Sequence, residues 1–434
     1  MRKFALCVVM TVIIIVMPFD AHAARLWSSG LELNSCTANV EVTACTWDGS
    51  GTASTTSATL RTGTYAMSAS ATSGYTIAAQ TFSSGSGLAY VRAYINVPGY
   101  PSGNNSFLCL SNSNPNNFGC LYMNSSGQMG INYGDTPTYG SSLSSALQKN
   151  TWYRVELSID ATVDNTQVVT GRLDGTQIDQ QTGNRAVLAN TMTSASWGVG
   201  SWETITATIY FDDIAINDTT GSTQTSWPGV GSIVHMQPDS AGETDNATST
   251  PTSWQNIDEV TPDDGATASW LDADNDILDV NTESASNAGI DSFDTVSLIQ
   301  VGIRQNVASA ILGTWNTRIK SASGGTVSSG TVTSHNDTIW ATNGDPNSLP
   351  LIYTLTSYTD PTTAVAWTPT GTNSLDNMQI GVTSPDANPD IGVSTLWALV
   401  EYVDGVAASL APTRLKFGIG RWRFNGGRIR LQSN

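Results

Sequence analysis

The sequence predicts an all-β protein: two consecutive β-sandwiches closed by a C-terminal hairpin tail. Three observations carry this. First, Tyr153, Val155, Leu157 and Ile159 alternate with Trp152, Arg154, Glu156 and Ser158, and a period of two marks a half-buried antiparallel strand. Second, short apolar runs at Leu88 to Val97, Phe107 to Leu110, Gln128 to Tyr133 and Trp152 to Asp160 are separated by Gly, Ser and Asn, with no convincing amphipathic helix between them. Third, only 12% of residues are charged, against about a quarter in ordinary soluble domains. Later in the chain Ile205, Ala207, Ile209 and Phe211 share a face, whereas Ile214 and Ile216 have the opposite parity. One extra residue at Asp212-Asp213 restores the pattern, so a bulge or corner is expected there.

At 434 residues the chain suits two domains. Residues 1–23 carry the pattern of a signal peptide. Arg2-Lys3 opens a basic start, an apolar run extends from Phe4 to Met17, and Ala21-His22-Ala23 offers a cleavage site. That run is too short for a spanning helix, which needs about 20 apolar residues. The expected organisation is then a first sandwich over 24–218, a linker over 219–226, a second acidic β-sandwich module over 227–405 and a basic tail over 406–434. Charge follows these bounds: 24–226 hold 13 acidic and 7 basic residues, 227–405 hold 22 and 3, and the tail has 6 basic and none acidic. A core this acidic disfavours nucleic acid and anionic membrane surfaces as partners. The expected location is secreted: extracellular, periplasmic or at the cell surface.

Beyond the leader there are four cysteines, Cys36, Cys45, Cys109 and Cys120. An even number in an exported chain implies disulfides, with three connectivities available. Local pairing is expected, Cys36 with Cys45 and Cys109 with Cys120, because Phe107 to Leu110 and Cys120 to Met123 read as the arms of one hairpin. Zinc is disfavoured: outside the leader the histidines are His235 and His335, both remote from the cysteines.

Arg61-Thr62-Gly63-Thr64-Tyr65-Ala66-Met67, Thr151 to Leu157, Asp174-Gly175 and Tyr210 to Asp218 together resemble the laminin-G-like, concanavalin A-like jelly rolls of the lectin and glucanase superfamily. The resemblance covers about residues 26 to 218 and implies two packed antiparallel sheets, in a group whose members are lectins, glycosidases or interaction modules. Beyond Trp227-Pro228-Gly229, strands are expected near Val296 to Val307, Trp315 to Lys320, Leu351 to Leu355 and Leu396 to Val403. With the acidic string Asp258-Glu259 to Asp263-Asp264 and with Asp360-Pro361 to Thr368, this half is similar to β modules of tailed-phage minor structural proteins. In the tail, Leu415, Phe417 and Ile419 alternate before Asn425-Gly426-Gly427, which reads as strand, turn, strand. It is expected to lie on its own domain or to offer an edge for self-association.

Candidate chemistry is thin. Glycosidases need two carboxyls roughly 5 to 9.5 Å apart. Glu156 and Asp160 share a face but stand about 13 Å apart on an extended strand, so both are expected to face solvent. No Gly-x-Ser-x-Gly elbow is present. Asp272, Asp274, Asp276 and Glu283 match positions 1, 3, 5 and 12 of an EF-hand loop, but Ile277 stands where the turn needs glycine, so a solvated acidic loop is expected. No cofactor is required; a structural calcium is expected, if anywhere, at Asp212 and Asp213 with Asp48. Sugar binding asks for aromatic faces beside polar groups, and Tyr133, Tyr139, Trp197 and Trp202 are the candidates.

The leading functional expectation is an exported, non-enzymatic surface or adhesion protein that binds glycans or a partner protein. The alternative is a phage-type virion structural or decoration protein, and the third reading is a polysaccharide-degrading glycosidase.

Overall fold

The computed structural model describes residues 24–36, 41–42, 45, 51–82, 87–111, 118–133, 138–163, 166–184, 192–200, 204–248, 253–258, 269–307, 314–333, 352–384 and 391–405. The structure is all-β, as expected, with two short 3-10 turns as its helical content among these residues. The expected tail hairpin at 406–434 lies outside them.

The strands up to Asn217 begin with β1 (Arg25–Ser29), β2 (Thr52–Thr56), β3 (Ala66–Gly74), β4 (Thr76–Thr81) and β5 (Leu88–Asn96). Next come β6 (Asn105–Ser111), β7 (Phe118–Met123), β8 (Met129–Tyr133), β9 (Thr138–Tyr139) and β10 (Trp152–Asp160). The set closes with β11 (Thr166–Leu173), β12 (Thr176–Asn184), β13 (Ser194–Val199) and β14 (Ile205–Asn217). One sheet has the order β12-β11-β10-β5-β14-β3-β2, with β1 also on β14, and the facing sheet has the order β4-β13-β6-β7-β8-β9. Val155, Leu157 and Ile159 from the first sheet meet Leu108, Leu121 and Ile131 from the second in one core. Each such fully buried side chain contributes about 2 kcal/mol by leaving water.

Local chemistry explains the connections. Asp174-Gly175 joins β11 to β12 with φ of 49° and 82°, the paired left-handed geometry of a two-residue hairpin. Cys109 stands opposite Cys120 across β6 and β7, and both local disulfides are formed, Cys36–Cys45 and Cys109–Cys120. Replacing Cys109 and Cys120 together by serine is expected to cost about 2–4 kcal/mol. Denaturant titration checks this, and an unshifted midpoint would mean that the sheet neighbours alone hold the hairpin.

The expected bulge in β14 is present. Asp212 pairs with Tyr94 and Ala215 with Arg92, so two residues oppose one, and Asp213 has φ 49°. Before the bulge β14 pairs with β3, through Phe211; after it β14 pairs with β1, from Ile214 onward. The parity switch therefore marks the corner where β14 changes neighbour.

From Ser232 the strands are β15 (Ser232–Met236), β16 (Pro238–Asp245), β17 (Ser269–Leu271), β18 (Ile277–Thr282) and β19 (Thr295–Val307). They continue through β20 (Thr314–Lys320), β21 (Ser328–Thr333), β22 (Ile352–Ser357), β23 (Gln379–Thr383) and β24 (Ile391–Val403). One sheet runs β15-β24-β19-β22 with β17 on β24, and the other runs β16-β18-β23-β20-β21. Trp315, Ile380, Val301 and Val400 are among the residues of their shared core.

The two sandwiches dock through apolar and ionic contacts. Leu33 joins Ile233, Leu298, Trp397 and Leu399 in a small cluster. Beside it, the Glu401 carboxylate accepts from Arg92 at 2.6 Å and also from Arg25. Burial opposes ionisation of Glu401, but the two guanidiniums overcome it and hold the carboxyl below its ordinary range. Trp227 packs edge-on against Tyr90 at 5.2 Å and lies under the Arg172 guanidinium at 3.9 Å. This covers the outer face of β10 and corrects the reading of Glu156. It is not solvent-facing: it is 1% exposed, accepts from the Gly229 amide at 2.9 Å and pairs with Arg154 at 3.4 Å.

Candidate functional site

A cleft of about 530 Å³ opens at the junction of the two sandwiches. One wall is the turn after β1, with Glu32, and the loop entering β3, Leu60 to Tyr65. The other comes from β15 and the residue after it, with His235 and Gln237, from the connection between β18 and β19, with Glu283 and Asn287, and from Tyr402 of β24.

The first wall is shaped by carboxyls that bind backbone. Glu32 Oε2 accepts from the Thr64 amide at 2.8 Å, and Asp212 Oδ2 accepts from the amides of Arg61 at 2.9 Å and Thr62 at 3.4 Å. Asp213 Oδ1 accepts from the Thr62 hydroxyl at 2.8 Å and, across the junction, from the Ile233 amide at 2.5 Å. Arg61 pairs with Asp213, donates to Gly231 O at 3.2 Å and Ser232 Oγ at 3.1 Å, and lies 3.5 Å over the Tyr94 ring. Gly63 has φ 62°, and a Cβ there would collide with the Glu32 carboxyl. Left-handed backbone costs an L-residue about 1–2 kcal/mol before any clash. Gly63→Ala is therefore expected to lose at least about 2 kcal/mol; a change under about 0.5 kcal/mol in chemical denaturation would show that the loop simply moves aside.

Burial sets the ionisation of the cleft. It pushes the Glu32 carboxyl up to about 9, with nearby Glu41 and Asp213 adding to the effect against the Thr64 and Tyr65 amides. Glu41, behind the wall, is pushed up to about 7 by burial against the hydrogen bonds of Ser29 and Leu33. His235 is lowered to about 3 by burial, so its 3.6 Å approach to Glu41 is not an ion pair near neutrality. Burial also raises Glu283, whose Oε1 accepts from the Gln237 amide at 3.2 Å. The Tyr402 hydroxyl is raised mainly by burial and approaches Gly289 O at 3.4 Å.

Four buried polar atoms of the lining residues lack a hydrogen-bond partner among the described residues: Glu32 Oε1, both ring nitrogens of His235, and Gln237 Oε1. Buried polar atoms are rarely left this way without water or ligand. A neutral carboxyl can donate as well as accept, and neutral imidazole does both. These atoms are closed to solvent, the Glu32 oxygen against Gly63, so they belong to the wall behind the lining, where Glu32 keeps its proton near neutrality.

The residues singled out from sequence do not gather into one site. Trp197 is fully buried, stacked on Trp27 at 5.7 Å with its Nε1 donating to Met67 Sδ at 3.1 Å; it is core, because its parity on β13 points into the sandwich. Tyr139 is 38% exposed and packs edge-on against Tyr122 at 4.7 Å. Tyr133 pairs with Thr138, one register position from the Asn132–Tyr139 pair, so the two tyrosines lie on opposite faces and form no common platform. Trp202 and Asp48 lie outside the described residues. Asp212 and Asp213 do not fit a calcium site: both are fully buried, and their oxygens are taken by amides, a hydroxyl and Arg61. Among the described residues no group of three or more His, Cys, Asp or Glu is placed to hold a metal ion. In the Asp272 to Asp276 loop, Asp276 Oδ2 instead caps the amides of Asp272 at 3.1 Å and Ala273 at 2.8 Å.

Sequence reasoning passed over Glu32, Gln237, Asn287 and Tyr402. The usable signal was an ionisable residue inside an apolar run: Leu31-Glu32-Leu33, Val234-His235-Met236 and Val400-Glu401-Tyr402.

No protein-family model matches the chain, and no curated protein matches it. Among solved structures, an endo-β-1,4-glucuronan lyase from the fungus Trichoderma reesei is similar at 13% identity and TM-score 0.35, over 46% of this chain and 100% of that one. An alginate lyase is similar at 14% identity and TM-score 0.27, over 36% and 82%. A Trypanosoma rangeli sialidase follows at 14% identity and TM-score 0.25, over 35% and 25%. All three are enzymes by name, and the expectation of a non-enzymatic protein is corrected on that finding. Scores of this size transfer no reaction to this chain. Among the described residues no helix is long and apolar enough to cross a membrane.

Proposed function

We propose that this chain is an exported, carbohydrate-interacting protein that takes a glycan into the cleft between its two sandwiches. The observation that carries the reading is one cleft of about 530 Å³ lined by the polar residues Thr62, Thr64, Gln237, Glu283, Asn287 and Tyr402. That volume falls in the range of small-molecule sites, which run from about 300 to 1,000 Å³. A lining of carboxyl, imidazole, amide and hydroxyl groups matches the hydroxyl-rich surface of a sugar better than an apolar ligand. Export is supported by the leader-like start of the sequence and by the two disulfides, which persist in oxidising compartments. A surface or adhesive role fits this placement.

The test is a glycan array probed with the full secreted chain, run beside assays for reducing ends and for unsaturated sugar ends on the same polysaccharides. Binding is expected, and Gln237→Ala combined with Asn287→Ala is expected to weaken it at least about tenfold, equivalent to about 1.4 kcal/mol. Silence of the whole array, or binding indifferent to both substitutions, would overturn the reading. The product assays decide whether the bound glycan is also cleaved.

A further inference from the structure

We propose that the cleft between the sandwiches selects an uncharged, polyhydroxylated sugar unit over the corresponding uronate. This rests on the glycan reading above and adds the class of sugar.

One permanent cation stands among the described lining residues. Arg61 is the group that would recognise a sugar carboxylate, because its fork matches carboxylate geometry. It is already committed: Asp213 takes its charge, Gly231 O and Ser232 Oγ take its protons, and Tyr94 takes its face. Drawing it toward a ligand would strand Asp213, which is fully buried, and breaking a buried pair leaves an uncompensated charge. A uronate would thus enter without a counter-charge.

The surroundings are adverse to an anion as well. Glu283 stands on the second wall. The residues from 227 to 405 carry 22 acidic and 3 basic side chains, and a cleft focuses a field of that sign. What the lining does offer is uncharged: Thr62, Thr64, Tyr65, Gln237, Asn287 and Tyr402 bring hydroxyl and amide groups to the cleft. Groups of this kind hydrogen-bond sugar hydroxyls as donors and acceptors.

Matched oligosaccharides that differ at the sugar C6, hydroxymethyl in one and carboxylate in the other, provide the test. Cello-oligosaccharides against β-1,4-glucuronan fragments, and mannan against mannuronan fragments, would be titrated calorimetrically into the full chain at neutral pH and low salt. The neutral member of at least one pair is expected to bind at least tenfold more tightly. Glu283→Gln is expected to narrow that gap severalfold, since it removes a charge from the wall while keeping an oxygen for the Gln237 amide. Uronates binding as well as or better than their neutral partners would overturn the selectivity while leaving the glycan reading intact. A gap unchanged in Glu283→Gln would place the selection outside this cleft and overturn the proposal. No binding by either member of any pair, together with a silent array, would remove both.

Discussion

Glu401→Gln is expected to destabilise the protein by about 3–5 kcal/mol, the usual cost of breaking a buried ion pair. The substitution is nearly isosteric, so packing is preserved and the loss comes from charge. Arg25 and Arg92 are fully buried in their side chains and converge on this one carboxylate. Their other bonds, from Arg25 to Asn217 Oδ1 at 2.6 Å and Gln224 Oε1 at 3.5 Å and from Arg92 to the carbonyls of Asp213 at 3.0 Å and Gly229 at 3.3 Å, satisfy protons but do not neutralise charge. Two guanidiniums would be left in the junction with no anion of their own. Chemical denaturation measures the loss, and proteolysis between residues 219 and 231 should accelerate as the sandwiches part. A shift below about 1 kcal/mol, the scale of an exposed pair, would mean that water already reaches the junction.

Stability is expected to peak in mild acid and to fall as pH rises, and Glu32→Gln should abolish much of that fall. Glu32 has a folded value near 9 against an ordinary 4.5. Between these values the folded protein holds a proton that the unfolded chain releases, so stability drops by about 1.4 kcal/mol per pH unit. Glu41, near 7 when folded, contributes with the same sign from about 4.5 to 7. Asp212, Asp213 and Glu283 are raised as well and act in the same direction. His235 works oppositely: lowered from 6.5 to about 3, it makes the protein gain stability as pH rises through that window. The histidine slope dominates below about 3.8, where the raised aspartates begin to oppose it, and the raised carboxyls dominate above about 4.5, which places the maximum in mild acid. A glutamine at position 32 mimics the protonated acid at every pH. The variant should match the parent near pH 4.5 and exceed it by several kcal/mol at pH 8, following about 1.4 kcal/mol per unit. Melting curves of both proteins from pH 4 to 9 decide the matter; parallel profiles would show that Glu32 ionises freely in the folded state.

Both effects arise where the sequence is least informative by itself. What the chain order did determine is local. Alternation at Trp152 to Asp160 gave that strand its bounds, and those of β5, β19 and β20 lie within a residue or so of the expected ones. The parity switch at Asp212-Asp213 located the bulge, Asp174-Gly175 the tight turn, and the short cysteine spacings the disulfides. Each depends on neighbours within about a dozen positions, where backbone geometry couples sequence directly to shape.

The candidate site depends on docking. Glu32, Gly63, His235, Gln237, Glu283 and Tyr402 come from separate segments of both sandwiches, and no periodicity links them. Trp197, a candidate for sugar contact, is core; Glu156 looked solvated and is covered by the chain around Gly229. Only the tertiary structure decided these cases. Burial converts an ordinary carboxyl into a neutral donor or a locked ion according to whether a guanidinium stands beside it, and that neighbour is supplied by the fold, hundreds of residues away, as Arg92 is for Glu401.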